Sequence, residues 1–270
     1  MPDRTDIVYR YDGTLDGLMS CVFESYEKKE MPDAILGPED HQLSFFETRE
    51  IKTDPARAAR VLRSIPARIS EEALQLVERA MLTCLPGREK HILAFLRFGF
   101  RVGAGVTDLR YHDAVAPITN AVMQLGREAH LYTGFVRFTQ NAGVLAAVIE
   151  PKNRVLTLIA DHFVDRYPND SFIIFDRTHH EAIVAKNGRG RIVPLEALEL
   201  PEPDEMERAV RALWRRFHAA VAITQRRNYK CQRGHLPLRY RRVMTEFTSD
   251  LSRAKKSPAL ETPRLPSGGE

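Results

Sequence analysis

The sequence predicts an α+β protein with a mainly antiparallel sheet, accompanying helices and a helical, basic C-terminal arm. Three observations carry that expectation. Apolar residues recur at helical spacing over residues 54–131, runs of strand length take over from 135 to 193, and eleven Lys and Arg residues between Arg208 and Arg242 are interrupted by no Asp or Glu.

Residues 7–11 carry a short strand signal stopped by Asp12-Gly13, and Thr14 precedes a helical pattern over 15–29 that includes Leu18, Val22, Phe23 and Tyr26. A second strand is expected at 45–51. Asp54 then stands where an N-cap is wanted and Pro55 at the first helical position. Several helices follow as far as Leu131, separated by Pro86-Gly87 and by Gly103 and Gly105. From Phe135 strands are expected at 135–138, 144–150, 172–176 and 182–185, with a helix over 155–167 and an Asn187-Gly188 turn before Ile192 and Val193. Short strands joined by such turns suit hairpins better than crossovers, which is why the sheet is expected to be antiparallel.

Pro203, Asp204, Glu205 and Glu207 mark a helix start, and Val210, Leu213, Trp214, Phe217 and Val221 form an apolar stripe expected to pack. Arg208, Arg211, Arg215 and His218 recur on another face, which is offered outward. Residues 226–230 read as a basic break, Gly234 and Pro237 punctuate the chain, and a helical period resumes over 238–247. The expected organisation is a mixed body over 1–200, an arm over 201–250 packed on it, and a disordered tail over 251–270 rich in Pro, Ser and Gly.

With 43% hydrophobic and 28% charged residues, the chain has the composition of a soluble globular protein. No run approaches the roughly eighteen apolar residues of a membrane span, and Met1-Pro2-Asp3-Arg4 opens no signal peptide, so a cytoplasmic protein with no membrane partner is expected. Cys21, Cys84 and Cys231 are widely spaced and form no Cys-x-x-Cys, so reduced thiols are expected. No cofactor and no metal are expected either, because His179-His180 lacks further ligands at suitable spacing.

The charge pattern is the best lead to function. Taking the eleven basic residues from the net charge of +4 leaves −7 for the rest of the chain, so the body is acidic and the arm basic. A segregated basic stripe has an orientation, and a phosphate backbone is its commonest partner; a solvated face or one paired with the acidic body is the competing reading. The candidate nucleic-acid contacts are Arg211, Arg215, Arg226, Arg227, Asn228, Lys230, Arg233, Arg239, Arg241 and Arg242, with Trp214 or Tyr229 as stacking partners.

Candidate catalytic residues fall in two clusters. Glu128, His130 and Arg137 lie at an expected helix-to-strand junction, where Glu128 or His130 is a natural partner for the Arg137 charge. His162 and Arg166 share a helix face, and Asp176 closes the following strand, where it can orient an imidazole. Arg137, His162 and Asp176 are expected at one sheet edge, facing a cleft bordered by the arm. A third candidate is the turn of Tyr11, Asp12 and Gly13 with Thr14 and Asp16, which can present backbone N–H groups to an anion or serve only as turn and cap.

The chain also resembles the bacterial "probable DNA metabolism protein" family. The matching elements are Tyr11-Asp12-Gly13 with Asp16-Gly17 and Phe23-Glu24; Glu128-x-His130 leading to Gly134-Phe135-Val136-Arg137-Phe138; Pro151 with His162-Phe163-x-x-Arg166; Ile174-x-Asp176-Arg177; and Arg226-x-Asn228, Pro237-x-x-Tyr240 and Glu246-Phe247. Tyr229 stands where the family pattern has proline. The resemblance implies DNA metabolism or repair, as the partner of a radical-SAM protein with a helix-hairpin-helix DNA module, in a family also found fused to uracil-DNA glycosylases. Two functions follow as expectations. One is a DNA-binding accessory protein that assists a repair enzyme; the other is an enzyme acting on nucleic acid or a modified nucleotide through a His/Arg/Asp centre.

Overall fold

Ile7, Val8 and Tyr9 are all buried, which marks β1 (Ile7–Arg10) as a strand covered on both faces, the situation of a parallel sheet. The computed structural model describes residues 3–40, 44–141, 143–199, 205–221 and 228–244. In it β1 is the centre of a three-stranded sheet, paired in parallel with β2 (Ala34–Leu36) on one side and β3 (Glu47–Glu50) on the other. Helix α1 (Leu15–Glu27) links β1 to β2; Thr14 caps it by accepting from the Gly17 N–H. Helix α2 (Pro55–Arg68) starts as the sequence predicts, with Asp54 accepting from the N–H groups of Ala56 and Arg57 and with Pro55 at the first helical position.

Ser70 caps α3 (Glu71–Ala80), and α4 (Arg88–Val102) places Ile92, Leu93, Phe95 and Leu96 wholly inside the core. Burying side chains of this size contributes about 1.5–3 kcal/mol each. At Gly99 a Cβ would come within 2.8 Å of Ile69 Cδ1, so the absence of a side chain is what lets α4 lie against the end of α2. A short 3-10 turn (Ala104–Asp108) leads on to α5 (Ala116–Phe135).

The second sheet has the order β4-β5-β6-β7-β8, formed by β4 (Thr139–Asn141), β5 (Val144–Ile149), β6 (Ser171–Asp176), β7 (Glu181–Lys186) and β8 (Arg189–Pro194). Strands β4 and β5, β6 and β7, and β7 and β8 pair antiparallel. Strands β5 and β6 pair in parallel because α6 (Leu156–Arg166) carries the chain back between them. Asn187 (φ 53°) and Gly188 (φ 69°) both adopt the left-handed conformation that a tight two-residue hairpin turn requires.

The protein is thus α+β with one parallel and one mixed sheet among the described residues; the sheet expected over 135–193 is the mixed one, where the parallel β5 and β6 pair interrupts antiparallel neighbours, and the parallel sheet around β1 is additional to it. A further difference lies at 135–138. Helix α5 continues to Phe135, and the strand begins only at Thr139. The helix persists because Tyr132 and Phe135, three residues apart, must both reach the buried ring of Tyr240, at centroid distances of 5.0 and 5.2 Å. Phe138 instead packs edge-on against Phe163 and Phe172, two core residues of the mixed-sheet unit.

The chain divides into two compact units, one comprising Met1–Leu131 with Pro151–Leu158, the other Tyr132–Glu150 with Ile159–Glu270. The second unit includes α7 (Glu205–Val221), α8 (Tyr229–His235) and a 3-10 turn (Leu238–Val243). Asn228 is not part of a break: it caps α8 by accepting from the Cys231 N–H, and Gly234 lies inside that helix. Tyr229 takes the first helical position, one that proline also suits. The expected helix start at Pro203 and Asp204, the basic pair Arg226 and Arg227, Glu246-Phe247 and the tail over 251–270 lie outside the described residues.

Candidate functional site

Asp176 ends β6 and is completely buried. Its Oδ1 accepts from the backbone N–H groups of Thr178 (2.9 Å) and His179 (3.2 Å), a turn that swings the His179 ring back so that Nδ1 lies 2.6 Å from Oδ2. A carboxylate there accepts from Nδ1–H, which leaves Nε2 as the basic nitrogen of the neutral ring. Asp176 therefore orients an imidazole, but that of His179 and not of His162. His162 is exposed on α6, edge-on to its neighbour Phe163, and Arg166 is exposed with its guanidinium 6.0 Å from the Tyr167 ring.

Glu128 is buried on α5, and its carboxylate accepts from the Lys152 N–H (3.1 Å), the Asn153 N–H (2.9 Å) and the Asn153 side-chain amide (2.5 Å). The Asn153 side chain in turn accepts from the Cys84 N–H. That is a brace holding the segment after β5. His130 is exposed on the same helix. Arg137, half-buried in the link between α5 and β4, donates to the carbonyls of Gly134 (2.9 Å) and Val136 (3.2 Å).

The turn after β1 uses its own donors. Asp12 Oδ1 accepts from Thr14 N–H and hydroxyl, and Oδ2 accepts from the Thr53 hydroxyl at 2.6 Å, so the carboxylate ties β1, α1 and the start of α2 together. Asp16 adds a carboxylate to the first turn of α1, where the helix dipole favours it. The Tyr11 hydroxyl donates to buried Glu89 at 3.1 Å; burial and then the Glu89 charge push its pKa upward, so it stays a donor throughout the physiological range.

In the C-terminal elements the basic residues separate into two kinds. Arg211 is engaged internally, its guanidinium donating to Glu207 and to the Thr139 hydroxyl at 2.7 Å each, which fastens α7 to β4. Arg239 lies over the Tyr240 ring at 4.7 Å, and Arg241 is half-buried. Arg215, Lys230, Arg233 and Arg242 are exposed. The apolar stripe of α7, expected to pack, is instead open among the described residues: Val210, Leu213, Phe217 and Val221 are each more than half exposed, and Trp214 stacks on Phe217 at 5.7 Å. Helical spacing fixes which residues share a face, but not whether anything covers it.

His179 does not stand out as a candidate base from sequence. The available signal is the Asp-x-x-His spacing at a strand end, where a turn-forming aspartate brings its third neighbour within reach. Among the described residues no group of three or more His, Cys, Asp or Glu side chains could hold a metal ion. Nor is any helix among them long and apolar enough to cross a membrane.

The profile of DUF4130, a domain of unknown function, matches residues 86–246, more than half of the chain. The chain belongs to the DUF4130 family. The matched region opens at the turn before α4 and takes in α5, the whole mixed sheet and the C-terminal helices, so the Glu128 brace, the Asp176 and His179 pair and the exposed basic residues all fall inside it. The parallel sheet and α1 to α3 precede it. No curated protein matches the chain.

Proposed function

We propose that this protein is an accessory factor in DNA metabolism or repair, one that binds DNA through its basic C-terminal elements and assists a radical-SAM or glycosylase-type repair enzyme. The observation that carries the reading is the segregation of charge: eleven basic residues without a carboxylate from Arg208 to Arg242, against −7 for the remainder. Arg215, Lys230, Arg233 and Arg242 are exposed and available to phosphates. The open apolar stripe of α7 suits a protein partner, and the resemblance to the DNA metabolism family supplies the class of enzyme. Replacing Lys230, Arg233 and Arg242 with Ala should weaken duplex binding at every sequence alike and flatten the log–log salt dependence by about 0.9 for each phosphate no longer neutralised. Unchanged affinity, or affinity indifferent to salt, removes the reading.

A second reading, an enzyme acting on nucleic acid or a modified nucleotide, is favoured by one observation, the buried Asp176 holding His179. A nuclease and glycosylase screen on damaged and undamaged DNA tests it. Activity lost in His179→Gln but kept in His162→Ala supports an Asp176 and His179 centre; no activity with or without the radical-SAM partner removes it.

A further inference from the structure

The arginines of the first unit include a set that the C-terminal reading does not use. Helices α1, α2 and α4 enclose an open groove of about 620 Å³, within the size range of small-ligand sites. Three rings line it, Phe23, Tyr26 and Phe100, with Tyr26 44% exposed and edge-on to Phe100 at 6.2 Å. Its walls are basic. Arg60 and Arg68 lie two helical turns apart on α2, and Arg97 and Arg101 one turn apart on α4, so each helix contributes a rail of guanidinium groups.

The charge balance of the groove decides what it can take. Among the described residues its one lining carboxylate, Glu27, is bound by Arg57, which also holds Glu24. Arg97 is bound by Asp3 and by the Glu30 carbonyl while its guanidinium lies over one face of the Tyr26 ring at 4.9 Å, which leaves the other face for a base. Among the described residues Arg60, Arg68 and Arg101 pair with no carboxylate. They rest on ring faces instead: Arg60 over Phe23 at 5.8 Å, Arg68 over Phe100 at 5.5 Å and Arg101 over Phe98 at 5.4 Å. A guanidinium over an aromatic ring keeps its charge and its outward N–H donors. Three guanidinium groups without a carboxylate, two from α2 and one from α4, beside a partly exposed ring match a ligand that carries both a π face and anionic oxygens at intervals.

We propose that this groove binds single-stranded nucleic acid, with a base on the Tyr26 and Phe100 rings and the flanking phosphates on Arg60, Arg68 and Arg101. Arg60 and Arg68 on α2 with Arg101 on α4 favour a strand over a lone nucleotide, because they offer guanidinium groups from two helices to the phosphates on both sides of one base position. Stacking on an exposed ring also requires an unpaired base, so a duplex is the poorer ligand. The proposal stands on different residues from the C-terminal reading, and either can fail alone.

The test uses the full chain, a fluorescent twelve-nucleotide oligo-dT, a duplex of the same length and dTMP as competitor. Arg60→Ala/Arg68→Ala should weaken oligo-dT binding by tenfold or more and lower the salt slope by about 0.7 for each phosphate no longer neutralised, with the duplex little affected. Tyr26→Ala should weaken oligo-dT binding with the slope unchanged, and Tyr26→Phe should restore it. Lys230→Ala/Arg233→Ala in α8 serves as the contrasting variant, expected to weaken the duplex. Oligo-dT affinity that survives both groove variants, with thermal melts equal to the parent's, overturns the proposal. So does a loss equal for strand and duplex, or displacement by dTMP at concentrations comparable to those of the oligonucleotide.

Discussion

A methyl group at position 17 would sit 2.1 Å from Asp12 Oδ1. An alanine in a helix normally gains about 0.5–1 kcal/mol over glycine; at Gly17 the clash reverses that sign by displacing the carboxylate that joins β1, α1 and α2. Gly17→Ala should therefore lower the urea midpoint. The Asp12 carboxyl is held below its ordinary range: burial, the largest influence, acts to raise it, but the hydrogen bonds from Thr53 and Thr14 together outweigh burial. Its contribution to stability is complete above the usual carboxylate range and is lost as pH falls through the depressed folded value. The difference in midpoint between the parent and Asp12→Asn should accordingly be largest near pH 7 and shrink on acidification. A gap that widens in acid would contradict this account. Cys21 offers a second test: it is fully buried, and burial, with the Asp12 and Glu24 charges, pushes its thiol up to about 12. At pH 8 a thiol reagent should titrate exposed Cys84 and Cys231 in the native protein, and Cys21 only in denaturant.

Among the elements, α5 is joined to the segment after β5 through the Glu128 carboxylate. Glu128→Ala leaves the N–H groups of Lys152 and Asn153 and the Asn153 amide without that acceptor, at a cost of about 1–3 kcal/mol for each buried group so orphaned. A fall in Tm of several degrees is expected, against almost none for exposed His162→Ala. How legible each element is in the sequence follows from how local its cause is. The β7 and β8 hairpin is readable because Asn187-Gly188 alone specifies it, and α2 because Asp54-Pro55 does. The parallel pairing of β5 with β6, and of β1 with β2 and β3, depends on where distant strands meet, which no short window reports. The end of α5 escapes sequence reasoning for the same reason: Tyr240, more than a hundred residues on, holds it helical. At the candidate centre Asp176 is identifiable as an orienting group, but its partner shows in the sequence only as the Asp-x-x-His spacing, since the turn that selects His179 over His162 is a matter of backbone geometry.

At the scale of the whole molecule, position of charge matters more than its total. The net charge of +4 is modest, so a uniformly charged protein of this size would interact weakly with polyanions. Two triple variants of equal net charge separate the alternatives. Lys230, Arg233 and Arg242 replaced by Ala should elute from heparin at markedly lower salt than the parent, while Lys28, Lys52 and Lys186 replaced by Ala, all exposed as well, should elute close to it. Equal elution of the two would mean that total charge governs the interaction. The buried Tyr240 gives the C-terminal region its inward anchor: Tyr240→Ala removes a ring packed against Tyr132 and Phe135, with an expected loss of about 3–5 kcal/mol, whereas the outward basic residues can be exchanged with little effect on folding.

Trp214 is the chain's sole tryptophan, and it stands 40% exposed on the open stripe of α7, stacked on Phe217. The indole emission of the entire protein therefore originates on one helix face. Without any attached dye, ultraviolet fluorescence reads the polarity of that face alone: whatever comes to cover α7 shifts the spectrum to the blue, and whatever binds elsewhere and leaves α7 undisturbed keeps its wavelength.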